Sequence, residues 1–295
     1  MSDNGDERLR EEQTTDVKLG YIGLGNMGAP MAKRLVQWPG GLIVFDVRAE
    51  AMTPLADKGA TLADGVADVA AADVISVTVL NDEQVRDVVG ELAANAKPGT
   101  VIAIHSTISP STAVELAEEL EPQGIHVVDA PVTGGGGAAK KGELAVMVGA
   151  TDEAFALIQE PFSQWASLIV HAGQPGAGTR MKLARNMLHF VSFTAACEAS
   201  KLAEAAGINL QDLGNVVRHS DKQSGGAGAI MFRDDMKPLT PDHFLYQPFL
   251  HTRGLGEKDL SLALALGEAT DVDLPLAEVA LKNLAAGLGV PHTKE

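Results

Sequence analysis

The chain has 295 residues, 45% hydrophobic and 21% charged, which suits a folded soluble protein of one large domain or two ordinary ones and excludes a disordered chain. Its formal net charge of −16 argues against nucleic acid or an anionic membrane as a partner, so a site for an anionic substrate must create its own local positive charge. The single cysteine, Cys197, rules out an intramolecular disulfide and thiolate zinc sites.

In chain order, Met1–Asp16 is charged and lacks the apolar centre of a signal peptide, and it reads as a disordered lead-in. No apolar run approaches the ~18 residues needed to span a bilayer, and a cytoplasmic location is expected. From Val17 to about His171, short apolar runs alternate with amphipathic segments. The runs Val17–Ile22, Leu42–Phe45, Val74–Val79, Val101–Ile104, His126–Val128, Ala145–Val148 and Leu168–Val170 have the length and β-branched content of buried strands. Helical stretches such as Met27–Gln37, Asp82–Ala94 and Ser111–Leu120 lie between them. That alternation predicts an α/β fold with a mostly parallel, doubly wound sheet. The breaker cluster Gly173-Gln-Pro-Gly-Ala-Gly178 marks a boundary. Beyond it helices dominate, at about Gly178–Ala206, Leu210–Arg218, Gly256–Ala269 and Leu276–Leu288. The expected domains are therefore residues 17–177, Rossmann-type and cofactor-binding, and residues 178–295, all-helical and serving substrate binding and oligomerisation. The helix from Gly178 is apolar nearly all round, so it is expected to be central and buried, with Cys197 buried in it. The eight histidines show no metal-ligand spacing and read as solvated or capping side chains. No metal site is expected.

Gly23-Leu24-Gly25-Asn26-Met27-Gly28 follows a strand and opens a helix, the context a Gly-x-Gly-x-x-Gly dinucleotide fingerprint requires. The first glycine makes the tight turn, the second admits a pyrophosphate, and the third lets helix pack on strand. The helix N-terminus offers N–H groups and a positive dipole end to the phosphates. Asp46 ends the next strand and is placed to accept hydrogen bonds from a ribose diol while repelling a 2′-phosphate, which argues for NAD. Arg48, two residues on, leaves NADP open. Lys182 and Asn186, one turn apart, share a face of the apolar helix. A lysine there either snorkels to the surface or is held for chemistry.

Four motifs together resemble the β-hydroxyacid dehydrogenase family, which includes 3-hydroxyisobutyrate dehydrogenase, tartronate semialdehyde reductase and the N-terminal part of 6-phosphogluconate dehydrogenase. They are Gly20-Tyr-Ile-Gly-Leu-Gly-Asn-Met-Gly-Ala-Pro-Met31, Asp129-Ala-Pro-Val-Thr-Gly-Gly135, Gly176-Ala-Gly-Thr-Arg-Met-Lys-Leu-Ala-Arg-Asn186 and Lys258-Asp259-Leu260. The resemblance covers almost all of Lys18–Val290. It implies an NAD(P)-dependent enzyme acting on a short 3-hydroxy acid or its semialdehyde, with Lys182 as general acid/base and Asn186 holding the same substrate oxygen or the carboxylate. Thr133, Gly134 and Gly135 would bind the carboxylate, and Thr107 would lie near the nicotinamide. Leu80 and Asn81 would touch the adenosine side, Lys258 the cofactor and Asp259 the substrate. The family is usually dimeric or tetrameric. Threonine at 133 stands where the family usually has serine, which narrows the pocket or rotates the donor. Arg185 stands where the decarboxylating members have histidine, and the related imine reductases generally lack a lysine at position 182. Two rival readings are a same-fold reductase for a larger substrate, using Arg180, Arg185 or the polar, glycine-rich loop Ser220–Gly226, and a non-catalytic cofactor-binding scaffold.

Overall fold

The computed structural model describes residues 17–293; the expected lead-in, Met1–Asp16, lies outside them. The described residues form nine strands: β1 (Leu19–Ile22), β2 (Leu42–Phe45), β3 (Thr61–Leu62), β4 (Val74–Val77), β5 (Val101–Ile104), β6 (His126–Asp129), β7 (Val132–Thr133), β8 (Leu144–Gly149) and β9 (Ala166–Gly173). They make one sheet in the order β3-β2-β1-β4-β5-β6-β8-β7, with β9 on β8. The first six run parallel. β8 is antiparallel to β6 and β7 and parallel to β9.

Period-2 alternation sorts the strand side chains onto two faces. Leu19, Tyr21, Leu42, Val44, Val101, Ala103 and Val128 join one core with Met31, Leu35, Leu55, Ile158 and Phe162. Those come from α1 (Gly28–Leu35), α2 (Ala49–Ala56) and α7 (Asp152–Ser163). Ile22, Ile43, Ile75, Val77, Ile102, Ile104 and Val127 face the other way, against Val66, Val85, Val89, Leu116 and Leu120. Those come from α3 (Val66–Val69), α4 (Asp82–Ala93) and α5 (Pro110–Leu120), while the short α6 (Gly135–Lys141) follows β7. The sheet is buried on both faces, as a doubly wound fold requires. Its strand order reverses between β1 and β4, so the carboxyl ends of those strands form the crevice where such sheets bind ligands.

Four further helices follow: α8 (Ala177–Ala205), α9 (Leu210–Ser224), α10 (Tyr246–Thr270) and α11 (Pro275–Leu288). Two compact units divide between Arg185 and Asn186, inside α8. In the second, Leu245, Phe249, Leu288 and Val290 form a small core. The Glu198 carboxylate of α8 accepts the Leu276 and Ala277 N–H groups at 2.9–3.3 Å, which caps α11.

Three expectations need correction. The only buried residues of α8 are Gly178, Thr179 and Lys182. Met187, Phe190 and Phe193 are 68%, 60% and 55% exposed, and Cys197 is exposed as well. Their apolar character therefore does not report burial within one chain. His105, expected to be solvated or capping, is buried and rings are packed around it. The segment Ser220–Gly226 is not a loop: α9 continues through Ser224 and stops at Gly225, whose φ of 86° is the left-handed helix stop.

Candidate active site

The glycine loop divides three tasks among three residues. Gly23 has φ 89°, and a Cβ there would lie 2.0 Å from the Thr78 carbonyl oxygen. At Gly28 a Cβ would lie 1.9 Å from the Gly23 carbonyl oxygen. Both positions exclude a side chain by packing within the protein. At Gly25 a Cβ would meet nothing within 4 Å, so no protein atom crowds the loop there. Just beyond, α1 begins at Met27 with no side-chain cap and no acidic residue in its first turn. Its positive end is thus available to an anion.

The Leu24 N–H of the loop donates to Asp46 Oδ2 at 2.6 Å. The other carboxylate oxygen accepts from the Arg48 N–H at 2.9 Å and from Arg48 Nε at 3.3 Å. Burial raises the pKa of Asp46, but these N–H groups and the guanidinium outweigh it and leave the pKa below the usual carboxylate value. Asp46 therefore carries its charge at the end of β2. Beside it opens a cavity of about 460 Å³ lined by Ile22, Gly25, Phe45, Asp46, Val66 and Leu80 among others. Two of its apolar walls, Val47 and Leu80, are 89% and 86% exposed. Open apolar walls, an ionised acid and an uncapped helix end suit the adenine, ribose and pyrophosphate of a dinucleotide in turn. The residues present fit that group.

The neighbouring predicted positions separate by role. The Asn81 side chain accepts the Gln84 N–H and caps α4, while the Leu80 N–H donates to Gln84 Oε1. Ser109, not Thr107, caps α5 through the Ser111 N–H. Thr107 is exposed at the carboxyl end of β5.

Lys182 is 8% exposed and donates from Nζ to the Val132 carbonyl oxygen at 2.7 Å. Burial, then repulsion from Arg185, holds its pKa below the ordinary lysine value. Val132 directly precedes Thr133, Gly134 and Gly135, so motifs 50 residues apart meet at one hydrogen bond. Thr133 is half-buried in β7, and Gly134 and Gly135 have φ of 126° and 72° at the start of α6. A Cβ at Gly136 would stand 3.7 Å from the Asn26 carbonyl oxygen, which puts this loop against the glycine loop. Asn186 lies one turn beyond Lys182 on the same helix. Lys258 and Asp259 are exposed on α10 and pair with each other at 3.0 Å.

Two residues had no assigned role in the sequence. Asp129 is fully buried and accepts from the Gly176 and Thr179 N–H groups, each at 2.6 Å, at the start of α8. His105 bridges Ser76 Oγ at 3.0 Å and the Ala130 carbonyl oxygen at 2.8 Å. Their positions at strand ends were a signal that their residue types alone did not carry. Among the described residues, no group of three or more His, Cys, Asp or Glu could hold a metal ion, and no helix is long and apolar enough to cross a membrane.

Comparison with known proteins places these features in a family. The profile of the NAD-binding domain of 6-phosphogluconate dehydrogenase matches residues 18–173. A second profile, described as the NAD-binding region of NADP-dependent 3-hydroxyisobutyrate dehydrogenase, matches residues 176–290. An uncharacterized oxidoreductase of Mycobacterium tuberculosis (strain H37Rv) is 68% identical, over 93% of this chain and 94% of that protein. The mitochondrial 3-hydroxyisobutyrate dehydrogenase of Rattus norvegicus is 33% identical, over 89% of this chain and 79% of that protein. The crystal structure of an oxidoreductase from Mycobacterium avium 104 superposes with a TM-score of 0.91 at 72% identity, over 94% of this chain and all of that one. The cofactor is thus NAD or NADP, and the chain belongs to the β-hydroxyacid dehydrogenase family.

Proposed function

We propose that the chain is a dehydrogenase of short 3-hydroxy acids, of the 3-hydroxyisobutyrate kind, or a reductase of the matching semialdehydes. One observation carries this reading: the hydrogen bond from Lys182 Nζ to the Val132 carbonyl oxygen, which holds a buried lysine against the Thr133-Gly134-Gly135 loop. The bound cofactor supplies the hydride acceptor in oxidation and the donor in reduction. Lys182, as the neutral amine, takes the hydroxyl proton as the carbinol C–H is oxidised; as the ammonium, it returns that proton to the oxygen in reduction. Burial lowers its pKa from the ordinary lysine value, the direction that proton transfer near neutral pH requires. Asn186 donates from its amide to the same oxygen or to the carboxylate. The Thr133 hydroxyl and the N–H groups of Gly134 and Gly135 hold the carboxylate. Thr107 adjoins the nicotinamide, and the family's cofactor- and substrate-facing roles carry over to Lys258 and Asp259. Asp46, ionised and already engaged by Arg48, favours NAD over NADP.

Absorbance at 340 nm with NAD and NADP, against 3-hydroxyisobutyrate, 3-hydroxypropionate, glycerate and serine, tests the reading. Turnover of one short acid is expected, with the higher kcat/KM for NAD. Lys182→Ala should lower kcat by about 10²–10⁴-fold with cofactor affinity kept. Near-wild-type kcat in that variant would remove Lys182 from the mechanism. Cofactor binding without turnover of any of the acids would overturn the substrate class.

A further inference from the structure

The lysine proposed as acid/base stands in the first turns of a helix whose start is fixed from the sheet. α8 begins at Ala177, and its leading N–H groups have no partners within the helix. Two N–H groups at this start, from Gly176 and Thr179, each meet one oxygen of the Asp129 carboxylate at 2.6 Å. Asp129 is the last residue of β6, and its backbone pairs with Gly149 of β8. The backbone of two glycines packs closely around Asp129. A Cβ at Gly149 would fall 2.1 Å from Asp129 Oδ1, and one at Gly178 would fall 2.6 Å from the Asp129 carbonyl oxygen and 2.3 Å from that of Met147. Thr179 precedes Lys182 by three residues, so the two lie on one face of the helix. Asp129 also opens the segment that ends on Val132, whose carbonyl oxygen accepts from Lys182 Nζ. One residue therefore fixes both ends of the lysine: its helix backbone through the carboxylate, and its ammonium partner through the chain that follows.

We propose that Asp129 is a positioning residue for Lys182, setting where the lysine Nζ stands relative to the Thr133-Gly134-Gly135 loop. This rests on the proposed role of Lys182. An anion at a helix N-terminus is also worth stability, so a purely structural cap is the competing account. The two differ in what happens once the lysine is gone. A positioning residue has nothing left to position, whereas a structural residue still matters.

The experiment is a double-mutant cycle on the full chain with Asp129→Asn, Lys182→Ala and the pair, reading kcat, cofactor Kd and the circular dichroism spectrum. Asparagine keeps one acceptor and the side-chain size but sets an NH₂ against one backbone N–H. Asp129→Asn alone is expected to lower kcat by about 10²-fold, the effect of misplacing a reacting group by about 1 Å. Its cofactor Kd is expected to stay within about twofold, since Asp129 is not among the residues lining the dinucleotide cavity. Added to Lys182→Ala, it should cost less than about threefold more. Chemical rescue of Lys182→Ala by methylamine should proceed equally with and without Asp129, because a free amine has no helix to register it. Unchanged kcat in Asp129→Asn, or full additivity in the pair, would overturn the proposal while leaving Lys182 in its role. Wild-type kcat in Lys182→Ala alone would remove the underlying reading instead. If Asp129→Asn does not fold, Asp129→Ser, smaller and still an acceptor, takes its place in the cycle. Loss of fold in both variants would assign Asp129 to stability alone and overturn the proposal.

Discussion

At the scale of single residues, the glycine loop separates what the fold needs from what the ligand needs. Gly28 is excluded from carrying a side chain by the Gly23 carbonyl oxygen, 1.9 Å from where a Cβ would stand. Gly25 faces no protein atom within 4 Å of that point. Gly28→Ala is therefore expected to cost about 2 kcal/mol or more, the range of an overpacked core substitution. Gly25→Ala is expected to change stability by less than about 0.5 kcal/mol, as for a site with no neighbours, while raising the cofactor KM about tenfold as the added methyl meets the pyrophosphate. Urea unfolding and cofactor titration on the two variants check the contrast. Equal stability losses, or unchanged affinity in Gly25→Ala, would mean that the open space beside Gly25 does not belong to the cofactor. The three glycines were legible in the sequence as a motif. Their division of roles was legible with it; the atoms that crowd the two packing positions, the Thr78 and Gly23 carbonyl oxygens, were not, because the fold brings them close.

At the scale of elements, regular strands were easy to read and irregular helices were not. Leu42–Phe45 and Val101–Ile104 have the predicted bounds, since a buried parallel strand is a closed apolar run between polar residues. α2 and α7 carry Pro54 and Pro161 within them, and α6 opens on glycines. Local propensity argues against all three, and burial of Met52, Leu55, Ile158 and Phe162 overrides it in α2 and α7. Thr61–Leu62 and Val132–Thr133 are two-residue strands, too short for any period to show. α8 was read in the right place but with the wrong surroundings, because an all-round apolar helix predicts burial without saying against what. The exposed Met187, Phe190 and Phe193 support the proposal that α8 is covered by another copy of the chain in a homodimer or homotetramer. Phe190→Glu with Phe193→Glu should then shift sedimentation equilibrium from oligomer to monomer at micromolar concentration. A wild-type chain that sediments as a monomer would sink the idea.

At the scale of the whole molecule, one face of the sheet and its carboxyl edge are tied together by a buried histidine. His105 follows β5, bonds Ser76 of β4 and the Ala130 carbonyl oxygen beyond β6, and packs against Tyr21, Phe162 and Trp165. It thereby braces the segment Asp129–Val132 from which Lys182 is held. Burial drives its pKa down to about 4, against the Ala130 hydrogen bond, which raises it. The folded value lies below the ordinary 6.5, so the fold holds the neutral ring. Its contribution is complete above about pH 6.5 and is lost as pH falls toward 4, amounting to roughly 3 kcal/mol over that window. Asp46, Asp73 and Asp82, whose folded values are lowered, contribute above their ordinary value of 3.8 and lose that contribution only below it. Asp129, whose value burial raises against its N–H partners, works in the opposite sense: its stabilising share is present at low pH and lost as pH rises through its folded value. The histidine can be isolated by comparing wild type with His105→Gln in urea at pH 7.5 and pH 4.5. The variant should be less stable at pH 7.5, having lost a packed ring, but should lose about 2 kcal/mol less than wild type on acidification. Parallel losses in the two proteins would place the acid sensitivity in the carboxylates and leave His105 as packing alone.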